Sequence, residues 1–341
     1  MLLLRFVVAA EAYAQPDMHP AFSVILLTTL IGAGQGLFLA LFTVQSYAVV
    51  GLLPAVEGRA FYAAGAALAL ALTAGGLVAS FFHLGRPERA WRSATQWRTS
   101  WLAREVIALP AFMGALALWG TLHALGWPPV LATLPHGTAV ELTLVVGIAA
   151  TLLAFALYVC TGMIYACLRF LAEWHTPLTP LNYVLMGGAS GFTLGAAWAA
   201  LGSPPHARFL AGWAVVLTLL AAIGRIASLW RNARLKPRST LQSAIGIKHP
   251  KVVQRSQGFM GGSFNTREFF HGKGAPLLRG VKWYFVAAAF ALPAAMVAAG
   301  PASAGWLLAA FAVQYSGLIA ERWFFFAQAN HPQNLYYQAI S

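Results

Sequence analysis

The stretch "FFHLGRPERAWRSATQWRTSWLARE", residues 81–105, separates two long apolar runs and decides how the rest of the chain is interpreted. It contains one histidine, five arginines, two glutamates and three tryptophans. The whole chain has the opposite character, with 9% charged and 59% hydrophobic residues among 341, whereas soluble domains average about 25% charged residues. This contrast indicates a membrane protein in which polar connections join apolar segments.

Apolar stretches of the length needed to cross about 30 Å of hydrocarbon recur along the chain. Backbone groups in lipid must be hydrogen-bonded within their own segment, and the ten-residue alternation of a membrane β-barrel is not visible, so these stretches predict helices. The predicted fold class is therefore all-α, a polytopic integral membrane protein whose span interiors hold essentially no charge. Its eight predicted transmembrane helices are 21–50, 60–82, 105–125, 139–168, 182–201, 207–230, 282–300 and 303–326.

The arginines and lysines predict the orientation of these spans. Of 22 such residues, 20 lie on the side of the two termini, in its connections or at helix ends that face it; only Arg59 and Arg208 belong to the other side. The positive-inside rule then places both termini and the large loops in the cytoplasm. The net charge of +13 is accordingly attributed to topology, and nucleic-acid binding is not predicted.

One membrane domain is predicted, over residues 18–341, after an N-terminal extension at 1–17. The extension imitates a signal peptide, but Glu11 fits such a peptide poorly. A long basic connection at about 232–281 is too short for a domain and too long for a simple turn. We expect it to dock onto another protein, with contact to anionic lipid as the alternative.

Several cofactor sites are not predicted. Cys160 and Cys167 do not have the spacing of a zinc or iron–sulfur motif. The nine histidines lie in connections or near helix ends, so the sequence offers no buried pair for haem. The segment "GFMGGSFNT" lacks the Gly-Lys-Ser/Thr of a phosphate-binding loop. No metal site is expected in this chain.

His83 is the first candidate for a functional residue. It lies in the last turn of the second predicted span, and "GRP" then ends that helix. A histidine at the edge of the hydrocarbon, near arginines and Glu105, exchanges protons near neutral pH. The alternative is that residues 81–105 are only a positive-inside connection with tryptophans at headgroup depth.

Motifs along the chain resemble the membrane-anchor subunit of the dimethyl sulfoxide reductase family. They include "FFHLGRPERAWRSATQWRTSWLARE", "LKPRSTLQSAIGIKHP", "GFMGGSFNTREFFH" and "ERWFFFAQANHPQNLYYQ". The resemblance extends from Met18 onward, and within the family the chain is most similar to the branch that oxidises sulfite in the cytoplasm. The cytoplasmic placement of the His83 connection agrees with that branch.

The resemblance implies a complex of three subunits in the bacterial cytoplasmic membrane. A molybdopterin subunit performs the substrate chemistry, and a ferredoxin-like subunit holds iron–sulfur clusters. The present chain is then a haem-free anchor that exchanges electrons with ubiquinone or menaquinone and converts no other substrate. Its role in sulfite oxidation to sulfate is implied by the resemblance alone.

The family's quinone-site histidine corresponds to His83. Arg86 is expected to polarise the quinone oxygen that His83 binds, and Glu105 to orient the histidine or pass protons. Tyr165 and Arg169, which share a helix face at positions i and i+4, are weaker candidates, together with His19 and the deeper Gln35. Residues expected to dock the partners are Arg89, Arg92, Arg98, Arg104, Lys248, Lys251, Arg255 and Arg267.

Other functions remain open at this stage. The chain also fits the anchor of a reductase for dimethyl sulfoxide or similar S- or N-oxides, which receives electrons from quinol. A stand-alone transporter would show inverted repeats or charges near the membrane centre. A membrane-embedded enzyme would need a His/Glu/Asp cluster within its spans, and the sequence predicts none.

Overall fold

Long helices dominate the computed structural model, which describes residues 20–56, 58–126, 129–133, 139–236, 240–252 and 275–329. One is interrupted by a π-helical turn, Ala287–Ala291. The predicted N-terminal extension and much of the predicted basic connection lie outside the described residues. The helices are α1 Pro20–Val49, α2 Ala60–Phe81, α3 Trp101–Leu125, α4 Leu142–Ala166, α5 Leu178–Ala199, α6 Pro204–Asn232, α7 Leu241–Ile245, α8 Ala275–Val286, α9 Leu292–Ala299 and α10 Ala304–Ala327.

Six of these helical segments are long and apolar enough to cross a membrane, which confirms a multi-pass membrane protein; they lie in α1, α2, α3, α4, α6 and α8–α9. The long helices α5 and α10 are not among the six. In α5, 16 of 22 residues are buried by neighbouring helices, so most of its surface meets protein rather than lipid. Helix α10 contains Gln314, Glu321 and Arg322, all buried.

Helices α1 and α5 form the centre of the bundle, where their backbones touch. A methyl group on Gly36 would overlap the backbone of Gly187 and Gly191. Small residues allow such close approach between helices in lipid, where association depends on van der Waals packing. The other helices surround this pair, since α1 contacts α2, α4 and α10, and α5 contacts α4, α6 and α10.

Two connections contain regular structure that the sequence did not predict. A 3₁₀ helix, Pro87–Gln96, lies between α2 and α3. The connection between α3 and α4 contains an antiparallel pair of short strands, β1 Val130–Thr133 and β2 Ala139–Glu141. The protein is thus not purely helical, although its bundle is.

The start of α3 differs from the predicted one. Ser100 is the N-cap, and its side chain accepts a hydrogen bond from the Ala103 backbone N–H at 3.3 Å. The helix therefore begins at Trp101, one turn before the predicted boundary. Glu105 consequently lies one turn inside the helix. The predicted boundary had placed it at the N-terminal end instead.

Candidate functional site

Apart from Gln35, the predicted site residues that the structure describes lie at one end of the bundle, which carries the connections 82–100 and 167–177 and the end of α6. Consecutive long helices run in opposite directions, so the basic connections all return to this side. We therefore call it the arginine-rich end. The opposite end carries the strands β1 and β2. The site is therefore built from the start of α1, α3 and α5 and the end of α2, α4, α6 and α10.

His83 lies in the turn that follows α2 and is half-buried. Its Nδ1 is 3.1 Å from Oγ of Ser23 in the first turns of α1. Nε2 has no hydrogen-bond partner among the described residues, so it is available to a ligand. Burial lowers the pKa of His83 below its ordinary value of 6.5 and favours the neutral imidazole. Phe82, next to His83 in the chain, is 69% exposed, and Phe22, next to Ser23, is 59% exposed. The site therefore has exposed apolar side chains beside both partners of the hydrogen bond.

Arg86 extends away from the protein. It precedes the 3₁₀ helix and is exposed, and its side chain makes no hydrogen bond or ion pair with the described part of the chain. The structure therefore brings Arg86 into the same connection as His83 without joining the two side chains. Its expected role in polarising a quinone oxygen stays a prediction.

Glu105 does not orient His83 in this structure. Its carboxylate accepts a hydrogen bond from the hydroxyl of Thr161 on α4, whereas the imidazole of His83 is bonded to Ser23. The predicted pairing of carboxylate and histidine is corrected accordingly. Glu105 instead faces a cavity of about 20 Å³ inside the bundle.

Gln35 lines the same cavity, although it lies much deeper along its helix than the other candidates. Its Nε2 donates to the carbonyl of Ala154 at 2.7 Å. The Tyr158 hydroxyl, also at the cavity, donates to the carbonyl of Gly32 at 2.8 Å. The sequence thus identified two residues, Glu105 and Gln35, that the fold places around one buried polar space.

Tyr165 and Arg169 do not share a helix face, because α4 ends at Ala166. Tyr165 packs among aromatic rings, with centroids 5.3 Å from Trp174 and 5.9 Å from Tyr183. Arg169 lies beyond the helix and is exposed. The premise for pairing them was wrong, since it required helical geometry through Arg169, which lies three residues beyond the end of α4.

Three buried charges, Arg225, Glu321 and Arg322, are the main feature that the sequence interpretation missed. Nε of Arg225 is 2.6 Å from Oε1 of Glu321, and these side chains are 2% and 1% exposed. A terminal guanidinium nitrogen of Arg322 is 3.3 Å from Oε2 of the same glutamate. The expectation that the span interiors hold essentially no charge is therefore wrong. All three charged residues lie within predicted spans, 207–230 and 303–326, but the sequence interpretation assigned them to the helix ends.

The residues expected to dock partners form a surface of arginine and tryptophan on the connection 82–100. The guanidinium carbon of Arg92 is 5.6 Å from the ring centre of Trp91, and that of Arg98 is 5.4 Å from Trp97. Arg89 makes an exposed ion pair with Glu88 at 3.7 Å, and exposed pairs of this kind contribute little to stability.

Arg104 is engaged within the connection itself. Its guanidinium donates to the carbonyls of Trp97 at 2.9 Å and Arg98 at 2.8 Å, and stacks over Trp101. Such contacts fix the return of the chain into α3. Arg104 therefore holds the connection in shape, whatever contact it makes with a partner.

The other docking candidates are only partly described. Lys248 and Lys251 lie in the segment 240–252 and are exposed. Arg255, Arg267 and the quinone-site candidate His19 lie outside the described residues. Within the described ranges, no group of three or more histidine, cysteine, aspartate or glutamate side chains is placed to hold a metal ion.

The bundle and its arginine-rich end define a multi-pass membrane protein in which most of the described candidate site residues lie at one end. Residues 18–247 match the family described as "DMSO reductase anchor subunit (DmsC)", and the chain belongs to that family. It is also similar to a subunit of the sulfite dehydrogenase of Allochromatium vinosum, at 52% identity over 326 residues that cover 95% of this chain and 100% of that relative. The resemblance seen in the sequence motifs is thus confirmed.

Proposed function

We propose that this chain anchors a sulfite-oxidising complex in the bacterial cytoplasmic membrane and passes its electrons to quinone. The partners would be an iron–sulfur ferredoxin-like subunit and a molybdopterin catalytic subunit. The observation that carries the proposal is the match, over nearly the whole chain, to a subunit of a sulfite dehydrogenase. In this proposal all eight long helical stretches cross the membrane, and both termini are cytoplasmic.

The quinone ring would bind beside His83 rather than inside the bundle. The cavity at Glu105 has a volume of about 20 Å³, far below the roughly 300 Å³ of an ordinary ligand pocket. His83 instead presents a free Nε2 at the helix end, between exposed phenylalanines. A ring arriving from the lipid would meet an apolar rim and one hydrogen-bond partner for a carbonyl oxygen.

His83 is suited to hold this oxygen because its imidazole is neutral near pH 7. The bond to Ser23 fixes the ring, and Nε2 then donates to a quinone oxygen or accepts a proton from a quinol. The same end of the protein carries the exposed arginines and tryptophans of the connection 82–100. An iron–sulfur subunit docked there would bring its cluster close to His83.

A second function is the anchor of a dimethyl sulfoxide or similar oxide reductase, which would run electrons in the opposite direction. The family match over residues 18–247 favours it to the same extent as the first, while the longer match favours sulfite oxidation.

The test is to purify the detergent-solubilised complex under gentle conditions and to assay it with both pairs of substrates. Iron and molybdenum should co-purify with the chain, and sulfite should reduce a short-chain quinone. Rapid oxidation of quinol by dimethyl sulfoxide, without sulfite activity, would establish the second function instead. A lone subunit without iron or molybdenum would contradict both.

A further inference from the structure

Two small cavities lie side by side in the arginine-rich half of the bundle. They have volumes of about 20 and 10 Å³ and share Tyr183, Met186 and Arg322 as walls. A buried water needs roughly 10–15 Å³ of such space and two to four polar partners. Each cavity is therefore about the size of one water molecule.

The first cavity lies directly below the His83 site. It is lined by Leu27 and Thr28, which are about one turn deeper on α1 than Ser23, the partner of His83. Glu105 supplies its carboxylate on one side. Polar atoms of Gln35, Tyr158, Thr161, Ser190 and Tyr183 complete a lining that favours water over an empty space.

The second cavity leads from Tyr183 back to the surface. Glu321, Arg225 and Arg322 line it, together with Asn182, whose Nδ2 donates to the Ser228 hydroxyl at 2.9 Å. Glu173 lines it as well. That residue belongs to the connection between α4 and α5 and is partly exposed at the arginine-rich end.

The charges along this line explain why it would be hydrated. Arg225 and Arg322 share the single carboxylate of Glu321, so the cluster carries one excess positive charge in the interior. A buried charge without a partner or water costs several kcal/mol, about the effective penalty per ion in proteins. Water in the shared space, with the carboxylate of Glu105 across the first cavity, lowers this cost.

We propose that the two cavities form a hydrated proton route from Glu105, past Tyr183 and Glu321, to the surface at Glu173. The inference deepens the proposed quinone reaction and rests on it. Reduction of one quinone takes two electrons, supplied by the iron–sulfur subunit, and two protons, which this route delivers to Glu105 and onward to the ring oxygens. Oxidation of quinol sends the same two protons out again.

The route begins and ends in one half of the membrane. Glu105, Glu321 and Glu173 all lie in the arginine-rich half, whereas the far end of the bundle is reached only beyond Gln35. Protons for the quinone therefore come from the side on which the partner subunits dock. Turnover should consequently generate no membrane potential through this chain.

The first experiment replaces groups on the route in the intact complex. Tyr183→Phe keeps the ring and removes the hydroxyl, and Glu173→Gln removes the outer carboxylate, while Glu173→Asp restores it. Matched controls are Tyr62→Phe and Glu141→Gln at the opposite end of the bundle. Sulfite oxidation with a soluble artificial acceptor reports assembly for every variant.

Tyr183→Phe should slow quinone reduction about tenfold, less than the roughly hundredfold lower limit for a general acid or base at the reacting atoms, because water partly replaces the lost hydroxyl. The variant should also raise the solvent isotope effect in D₂O. Glu173→Gln should slow it several-fold, with recovery in Glu173→Asp and no change in the controls. Normal quinone rates and isotope effects in both route variants would overturn the route. A wild-type complex that never reduces quinone would instead refute the proposed function.

A second experiment tests the side from which protons are taken. The complex is reconstituted in vesicles with its partner subunits outward and a pH-sensitive dye trapped inside. Sulfite and water give sulfate, two protons and two electrons outside, and quinone takes up two of each, so internal pH should stay constant. A rise of internal pH during turnover, with a membrane potential, would show proton uptake from the far side and overturn the route.

The pH dependence of the Tyr183→Phe variant separates a proton role from a structural one. The ionisable groups that face the Glu321 carboxylate are Arg225 on α6, Arg322 on α10 and Tyr183 on α5. Those around Glu105 are Tyr165, Tyr183 and Cys160. A route defect should grow as pH rises and protons become scarce, whereas a uniform loss at all pH values would contradict the proposal.

Discussion

The imidazole of His83 and the hydroxyl of Ser23 are joined across two helices, with 3.1 Å between Nδ1 and Oγ. This contact ties the end of α2 to the beginning of α1. It fixes one ring nitrogen inside the protein and leaves the other at the lipid boundary. The proposed quinone chemistry requires both: Nδ1 is held by Ser23, and Nε2 remains able to bind a quinone oxygen.

Replacement of His83 by alanine should leave the complex assembled, since one partly exposed side chain contributes little to packing the bundle. Quinone reduction should fall about a hundredfold, the lower limit usually seen for a general acid or base. Sulfite oxidation with a soluble artificial acceptor should be unchanged, because this acceptor bypasses the membrane site. His175→Ala, at an exposed histidine of the same end, is the control. If the variant reduced quinone at the normal rate, His83 would have no role in quinone chemistry and would only end the helix.

The pH dependence of stability should also reveal His83. Its folded-state pKa is lowered by burial, so the unfolded chain binds more protons below pH 6.5 and stability falls as pH drops through this range. Above about pH 6.5 both states are neutral and the effect vanishes. Thermal unfolding of wild type and His83→Gln in detergent, compared at pH 7.5 and 5.5, measures it. The wild type should lose more stability on acidification than the variant does, and equal losses would contradict the assignment.

Topology can be tested with a reporter enzyme that is active only in the periplasm. Fused after Ser341 it should be silent, because the C-terminus is expected in the cytoplasm. Inserted near Pro129, in the connection between α3 and α4, it should be active. The reverse pattern would place every connection on the opposite side of the membrane.

Deletion of residues 245–270 should release the soluble partners while the apolar helices still insert into the membrane. The segment carries much of the basic charge expected to bind them, including Lys248 and Lys251. Membrane and soluble fractions, probed for all three subunits, measure the outcome. If both partners remain on the membrane, this connection contacts lipid or regulates the complex.

Gly36→Ala should destabilise the bundle, because its methyl group would overlap the backbone of α5 at Gly187 and Gly191. Overpacking of this kind typically costs about 1–3 kcal/mol. Gly114→Ala is the matched control, since a methyl group at Gly114 meets open space. Thermal unfolding in detergent should show a loss for the first variant and no loss for the second. Equal stability of the two would mean that α1 and α5 can separate at little cost.

The sequence predicted the helices well, because the length and apolarity of a membrane span are local properties. It misplaced the start of α3, where the cap formed by Ser100 adds a turn whose letters include Trp101 and Arg104. Charged residues in that turn suggested a connection. The pattern of apolar letters does not register such a cap, which depends on one hydroxyl and one backbone N–H.

The candidate site was predicted in part for a similar reason. His83 and Glu105 stand out in the sequence because a charge at the end of an apolar run is conspicuous. The cluster of Arg225, Glu321 and Arg322 did not stand out, because Arg225 meets Glu321 only when two separate helices pack together. Such contacts form only in the tertiary structure, and the spacing of residues along the chain does not predict them.

The burial of α5 has a consequence for how the protein is made. Helix α5 contains four glycines and is not among the six segments that are apolar enough to cross a membrane by themselves, so it has a weaker drive to leave the translocation channel for the bilayer. Only the four residues 200–203 separate it from the strongly apolar α6. We expect α5 to insert late, together with α6 as a helical hairpin. Helix α1 would already be in the membrane, so that the glycines of α5 can pack against it.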